Sequence, residues 1–312
     1  MNKQCTLCPH KCKVDRNINI GRCKAGDKIE IGGTSLHKFE EPCISGKNGS
    51  GTVFFSKCNL NCVFCQNYEI SNLGNGKQIE VEELSNIFLK QQEKNAENIN
   101  LVSPTIYADK IVEAIKIAKE KGLKIPIIYN TNGYENIETL KKLDGYIDVY
   151  LPDLKYYYEE LAIKYSKVQN YFKIATEAIK EMYKQVGSPK FDENGMIKKG
   201  LIIRHLVLPN NLDNSKKVLK WIKENIDEKV YVSIMTQYFP TYKAQEYQEI
   251  NRKINREEYV EIENYIYDLG IENGYMQDFS EENEEQYVPK WEYWLLTNFM
   301  LIYSSYAFRI IM

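Results

Sequence analysis

The chain is poor in histidine, with 3 among 312 residues, and it carries no surplus of basic charge, its formal net charge being −2. His10, His37 and His205 are the whole supply, which leaves little for histidine-built metal sites. The balanced charge removes the global positive field that draws proteins to nucleic acid, so no nucleic-acid partner is expected. Internal repeats and low-complexity stretches are missing as well. The start, Met-Asn-Lys-Gln-Cys, lacks the apolar core of a signal peptide. The apolar run at 295–308 covers about 14 residues where a bilayer needs about 20. No membrane association is expected, and the expected compartment is the cytoplasm.

What the chain does have is cysteine: 8 of them, in a sequence without an export signal, which favours metal binding over disulfides. Cys58, Cys62 and Cys65 stand in the run Cys-Asn-Leu-Asn-Cys-Val-Phe-Cys-Gln-Asn. Three thiolates at C-x3-C-x2-C spacing can wrap one inorganic core within a single loop. Ordinary ferredoxin sites give each iron of a [4Fe–4S] cubane its own cysteine. Three cysteines therefore leave one iron open to an exchangeable ligand. Structural zinc would need a closed set of four, and the nearest histidine, His37, lies well upstream. The competing readings are a partial metal site or three reduced structural thiols.

After about residue 45, short β-branched or aromatic runs alternate with amphipathic stretches. Strands are predicted at 52–56, 99–102, 126–129, 147–151, 201–208 and 230–235. Helices are predicted at 81–95, 108–121, 137–143, 159–185 (with a break), 215–225 and 256–269. Asn255 reads as an N-cap ahead of acidic first-turn residues, and Gly270 as the residue just past the helix end. Six strands alternating with helices imply a parallel sheet, since parallel neighbours need long crossovers. The count falls short of an eightfold barrel and suits an α/β partial (β/α)6 barrel, with its chemistry at the C-terminal strand ends. The cysteine loop directly follows the first of these strands. Gly46-Lys47-Asn48-Gly49-Ser50-Gly51 lacks the closing residues of a phosphate loop and reads as a flexible approach to that strand.

The cysteine run, with Phe64 ahead of its last cysteine, resembles the signature of the radical S-adenosylmethionine (SAM) enzymes. Further stretches resemble one subgroup, the proteins similar to pyruvate formate-lyase activating enzyme. They are Glu40-Glu41-Pro42-Cys43-Ile44-Ser45-Gly46, Val102-Ser103-Pro104-Thr105, Tyr129-Asn130-Thr131-Asn132-Gly133, Tyr150-Leu151-Pro152-Asp153-Leu154-Lys155 and Met235-Thr236-Gln237-Tyr238-Phe239-Pro240. The similarity runs over about residues 5–289. It implies a [4Fe–4S] cluster on Cys58, Cys62 and Cys65 whose open iron is chelated by SAM, with Phe64 against the adenine. It also implies a flavodoxin- or ferredoxin-like electron donor. Many radical SAM enzymes hold the SAM ammonium with a Gly-Gly-Glu-Pro run; here Val-Ser-Pro-Thr stands in its place, and the role passes to Ser103 and Thr105. Lys57 sits where many relatives have glycine, which is tolerable only if the backbone there avoids positive φ.

SAM offers a carboxylate, an ammonium, a ribose diol and an adenine, and hydroxyl and amide side chains at the strand ends suit the first three. The candidate SAM contacts are Phe64, Asn67, Ser103, Thr105, Asn130, Thr131, Asp153, Lys155 and Arg204. Asp153 and Lys155 are expected to point in different directions, one facing the pocket and the other capping or pairing. Arg204 has two readings, a bidentate grip on a ligand carboxylate or a structural pair with Asp153. His205 reads as a satisfied core histidine. Ordinary turn chemistry is the rival explanation at each strand end taken singly.

Cys5, Cys8, Cys12 and Cys23 form C-x2-C-x3-C-x10-C, a candidate four-thiolate site for zinc or a second iron–sulfur cluster. Cys43 is a further ligand, a resolving thiol or a plain buried thiol. The expected organisation is a cysteine-rich metal-binding segment at 1–45, a radical SAM barrel at 46–289 and an atypical apolar tail, poorly packed, at 290–312. The expected function is reductive cleavage of SAM to a 5′-deoxyadenosyl radical that abstracts hydrogen from a substrate, with activation of a glycyl-radical enzyme one form of it. Radical modification of a peptide or small molecule beside an auxiliary cluster is an alternative. A non-catalytic iron–sulfur or zinc protein is another.

Overall fold

The computed structural model describes residues 4–279 and 308–311. Its strands are β1 (Ile29–His37), β2 (Ser50–Phe55), β3 (Lys77–Ile79), β4 (Ile99–Val102), β5 (Ile127–Thr131), β6 (Val149–Pro152), β7 (Lys190–Phe191), β8 (Ile197–Leu206), β9 (Tyr231–Met235), β10 (Gly274–Gln277) and β11 (Phe308–Ile311). Its helices are α1 (Pro42–Ser45), α2 (Tyr68–Ser71), α3 (Val81–Glu93), α4 (Ala108–Glu120), α5 (Ile137–Leu143), α6 (Glu159–Leu161), α7 (Tyr171–Val186), α8 (Leu212–Asn225) and α9 (Arg256–Asp268).

One sheet runs β11-β10-β9-β8-β6-β5-β4-β2-β1-β3, with β7 paired to β8. From β2 to β10 every pairing along this path is parallel, while β1, β3 and β11 add antiparallel edges. The central strands are buried on both faces, so Ile127-Ile128-Tyr129 and Val149-Tyr150-Leu151 are unbroken apolar runs. Helices cover the outer face through stripes such as Ile111, Ala114, Ile115 and Ala118 of α4. On the inner face Ile128, Val149, Leu151, Ile202 and Tyr275 pack around Cys43 and Ile44 of α1. That short helix plugs the barrel interior. Side chains from β1 and from β10 line one common cavity, so the sheet curls around it as a partial barrel.

Several sequence expectations need correction. β1 lies inside the segment at 1–45, for which no strand was expected; Gly32-Gly33 and a register shift at Ile31/Gly33 interrupt its alternation. Gly32 is required there, because a Cβ would fall 2.5 Å from Ile70. A seventh parallel strand, β10, was too short at four residues to register. The tail end, expected to pack poorly, instead forms β11 at residues 308–311 against β10, with Ile311 buried; residues 290–307 and 312 lie outside the described residues. Asn255 does cap α9, in a reciprocal capping box with Glu258, and Gly270 does follow it with φ +64°.

The expected break in the helix at 159–185 is an α6 turn, a π-turn at Ala162–Ser166 and left-handed residues Lys167 and Asn170 before α7. Its physical reason is a tertiary contact. The freed carbonyls of Tyr165 and Ser166 accept hydrogen bonds from the Val63 and Asn61 amides of the cysteine loop.

Candidate active site

The cysteine loop leaves β2 through Lys57, whose φ is +68°. The expectation that this backbone avoids positive φ fails: the position takes the left-handed conformation that glycine adopts most easily, and lysine bears the steric cost. Its ammonium is held by Glu30 at 2.6 Å, with both side chains largely buried. Beyond it, Cys58, Cys62 and Cys65 all face a cavity of about 360 Å³ at the C-terminal ends of the strands.

The thiols are surrounded by polar partners. Cys58 Sγ accepts from the Leu60 amide at 3.4 Å and from Asn132 Nδ2 at 3.3 Å. Cys62 Sγ lies 2.9 Å from Ser166 Oγ, which is itself 2.7 Å from the Tyr156 hydroxyl. Burial pushes the Cys58 thiol up to about 12 and Cys65 to about 11, and raises Cys62. As bare thiols they keep their protons, and metal loading releases them. Among the described residues no three His, Cys, Asp or Glu side chains converge on the point-sized space of a single ion. A cubane asks less of the loop, since each thiolate ligates a different iron. Three thiols on one loop, with N–H and O–H donors aimed at two of the sulfurs, fit that group.

The strand ends form the rim. Phe64, Asn67, Ser103, Asn130, Thr131, Asp153, Lys155 and Arg204 line the cavity. Thr105 does not: it is buried and donates to Glu135 Oε1 at 2.6 Å, an oxygen that also accepts from Thr131. Burial raises the Glu135 carboxyl to about 7. Asp153 and Lys155 were expected to diverge, but residues two apart on an extended chain share a face, and here they form an ion pair. Burial would pull Lys155 down, yet Asp153 more than offsets this and keeps the ammonium charged. Phe64 is fixed edge-on between Tyr165 and Tyr238.

Arg204 corrects both of its sequence readings. Its side-chain partner is not Asp153, which meets it only as a backbone bridge. The guanidinium instead carries two glutamates of the same chain: Nε reaches Glu41 Oε1 at 2.7 Å, and Nη2 bonds both Glu40 and Glu41. Burial alone would raise the Glu40 carboxyl, but Arg204 outweighs it and holds Glu40 below its ordinary range. This trio forms a polar floor just above the α1 plug. Ser35 and His37 of β1 also line the cavity, and Ser35 Oγ and His37 Nδ1 are buried without hydrogen-bond partners among the described residues. His205 is a core histidine as expected, with Nδ1 2.7 Å from the Leu154 carbonyl and Nε2 2.8 Å from Ser215 Oγ. Cys43 is a buried thiol in the inner core, pushed up to about 12 by burial.

Sequence reasoning missed the residues that hold the site together. Asn132 bonds both Cys58 Sγ and Asn59 Oδ1 (2.8 Å), while Asn59 Nδ2 donates to the Tyr134 carbonyl at 2.7 Å. The Tyr171 hydroxyl lies 2.8 Å from the Asn132 carbonyl and 2.9 Å from that of Asp153, bridging β5 and β6. Asn132 was concealed because Asn-Gly explains itself as a turn. Glu40 and Glu41 stood in a quoted motif without a role, and nothing in the chain paired them with a residue more than 160 positions away.

A model of the Radical SAM superfamily matches residues 52–193. Over 266 residues the chain is 35% identical to an uncharacterised protein of Methanocaldococcus jannaschii, covering 82% of this chain and 72% of that one. The chain belongs to the radical SAM superfamily. The superfamily implies a [4Fe–4S] cluster, SAM and radical chemistry started by SAM cleavage. A pyruvate formate-lyase-activating enzyme of Clostridium pasteurianum is 25% identical over 127 residues, or 39% of this chain and 52% of that protein. Among solved structures, Streptococcus suis SuiB bound to the precursor peptide SuiA matches with TM-score 0.47 and 17% identity, over 68% of this chain and 44% of that one. The [FeFe]-hydrogenase maturase HydG of Carboxydothermus hydrogenoformans matches with TM-score 0.47 and 16% identity, over 74% and 53%. This radical SAM chain thus spans about half the length of the activating enzyme and of these structures. No helix among its described residues is long and apolar enough to cross a membrane.

Proposed function

We propose that the chain is a radical SAM enzyme in which Cys58, Cys62 and Cys65 hold the cluster and the strand-end cavity holds SAM beside it. One observation carries this reading: the three thiols open into the same cavity as Asp153, Lys155, Ser103 and Asn130. When bound and reduced, the cluster supplies one electron that cleaves SAM to methionine and a 5′-deoxyadenosyl radical, which takes a hydrogen atom from the substrate. The protein residues do the rest. Phe64 offers an aromatic face for the adenine. Asn67, Asn130 and Thr131 offer amide and hydroxyl groups to the ribose and amino-acid portions, and Ser103 offers its hydroxyl to the ammonium. The Asp153–Lys155 pair presents both charges needed by a zwitterion. Thr105 supports Thr131 through Glu135 rather than touching the ligand. Asn132 and Ser166 hold the sulfurs in place, and the buried walls exclude water.

Similarity to the activating enzyme supports a backbone glycine of a partner protein as the substrate, with reducing electrons from a flavodoxin- or ferredoxin-like donor. A second reading, a small polar substrate, is favoured by the interior floor of Glu40, Glu41 and Arg204 beside Ser35 Oγ and His37 Nδ1, which have no hydrogen-bond partner among the described residues. A non-catalytic carrier would need no such lined cavity. The test is electron paramagnetic resonance of the reduced, reconstituted protein with and without SAM. SAM should change the g-values of the cluster signal in the wild type, and the Lys155→Ala variant should need several-fold more SAM. A cluster spectrum indifferent to saturating SAM would remove this reading.

A further inference from the structure

Residues 4–28 contain neither strand nor helix before β1 begins, and their only sheet-like contact is an isolated bridge between Gln4 and Asp15. Within them only Cys8 and Ala25 are buried apolar side chains. Such a stretch has almost no core to repay its ordering entropy. Its turns nevertheless bring the cysteines towards one another. Cys5 N–H bonds the Val14 carbonyl, Lys13 N–H returns to the Cys5 carbonyl, and Lys11 N–H closes on the Cys8 carbonyl. Cys12 and Cys23 sulfurs flank Gly21, where a Cβ would sit 3.4 and 3.7 Å from them. The Arg22 amide points at Cys12 Sγ, at 3.4 Å.

The sequence around these sulfurs is charged in a consistent way. Lys11 and Lys13 flank Cys12, Arg22 and Lys24 flank Cys23, and all four are exposed. Lys11, Lys13 and Lys24 hold positive φ of 42°, 56° and 59°, a conformation that glycine would adopt more cheaply. Lysine in those places makes sense if its charge is used. Four thiolates on one divalent ion leave a net charge of −2, which such a collar offsets.

We propose that Cys5, Cys8, Cys12 and Cys23 form a closed structural zinc site, and that this site buttresses the catalytic cysteine loop through His10. The set supplies four thiolates from one segment, leaving no open coordination position. None of the four lines the strand-end cavity, so the site is placed for structure rather than for substrate contact. Among the described residues no three such side chains already converge on a point, so zinc would draw the sulfurs together as it releases their protons. His10, between Cys8 and Cys12, hydrogen-bonds the Asn59 carbonyl at 2.8 Å and packs on Tyr134. Asn59 is the neighbour of Cys58. The Thr6 and Leu7 carbonyls accept from Asn136, which caps α5, and from Thr139 within it, at 2.6 and 2.8 Å, so the segment is anchored to the start of α5 as well as to the cysteine loop.

The buttress rests on the cysteine loop being a cluster site, whereas zinc content can be read without any SAM chemistry. The experiment is metal analysis of the full-length protein before and after anaerobic reconstitution. We expect about one zinc per chain in the wild type and in a Cys58→Ala/Cys62→Ala/Cys65→Ala variant, and loss of that zinc in Cys12→Ala. His10→Ala should keep its zinc and lose iron from the reconstituted loop several-fold faster than wild type on gel filtration. Because Cys12→Ala can fail to fold, reversible zinc chelation of the wild type supplies a second arm: iron loss should accelerate on chelation and recover when zinc is restored. Four irons in place of zinc in the triple variant would overturn the zinc site in favour of a second cluster, and absence of any metal there would overturn it in favour of free thiols. Unchanged iron loss in His10→Ala and after chelation would overturn the buttress.

Discussion

At the scale of single residues, the site is built from groups whose conformation or charge is costly unless matched. Lys57 is one case: its left-handed backbone is strained, and its ammonium neutralises the nearly buried Glu30. Lys57→Ala keeps the strain and leaves the carboxylate unpaired, so it should destabilise by about 2–4 kcal/mol. Lys57→Gly should be more stable than Lys57→Ala by about 1 kcal/mol, as thermal unfolding of the two variants will read. Glu135 is a second case. Burial raises its carboxyl from 4.5 to about 7 in the folded state, so between these values the folded chain holds a proton that the unfolded chain has lost. Stability should therefore fall as pH rises from 4.5 to 7, by about 3 kcal/mol at most. Glu135→Gln should flatten that slope in denaturant titrations; an unchanged slope would assign it to other groups. At this scale the sequence was legible where spacing alone carries chemistry, as in Cys58, Cys62 and Cys65. It was illegible for Arg204, whose partners Glu40 and Glu41 are brought to it only by the curl of the sheet.

At the scale of elements, alternation of apolar strands with amphipathic helices was readable because parallel strands are buried on both faces. Every one of the six strands expected has its counterpart in β2, β4, β5, β6, β8 and β9. What escaped were elements whose pattern is broken or brief: β1 with its Gly32-Gly33 irregularity, and β10 with four residues. β10 matters to the site, since Gln277 Oε1 accepts from the Thr236 amide and the Gln277 carbonyl from the Thr236 hydroxyl beside the cavity. Gly274 opens that strand with φ +147°, and a Cβ would lie 2.0 Å from the Val232 carbonyl oxygen. Gly274→Ala should separate β10 from β9, cost about 2–4 kcal/mol and weaken SAM binding by loosening the wall. Unfolding midpoints together with a SAM titration will check both parts. A stable variant with unaltered binding would show that this close approach relaxes at little cost.

For the molecule as a whole, the fold and the chemistry share one axis. The α1 plug and the Glu40–Glu41–Arg204 floor close the interior from below, the strand ends form the rim, and the cysteine loop hangs over it from β2, braced by the broken segment before α7. The architecture and the cofactor class were accessible from the sequence because periodicity and cysteine spacing are local signals. The bracing was not, because Asn132, Ser166, Tyr171 and His10 acquire their roles only when distant segments meet. The central claim is that this loop and cavity together cleave SAM. Its most direct measurement is anaerobic reconstitution with iron and sulfide, addition of SAM and dithionite, and quantification of 5′-deoxyadenosine beside a Cys62→Ala control. The account predicts product from the wild type and none above background from the variant. A wild-type protein that carries its cluster, binds SAM and still forms no 5′-deoxyadenosine would contradict it.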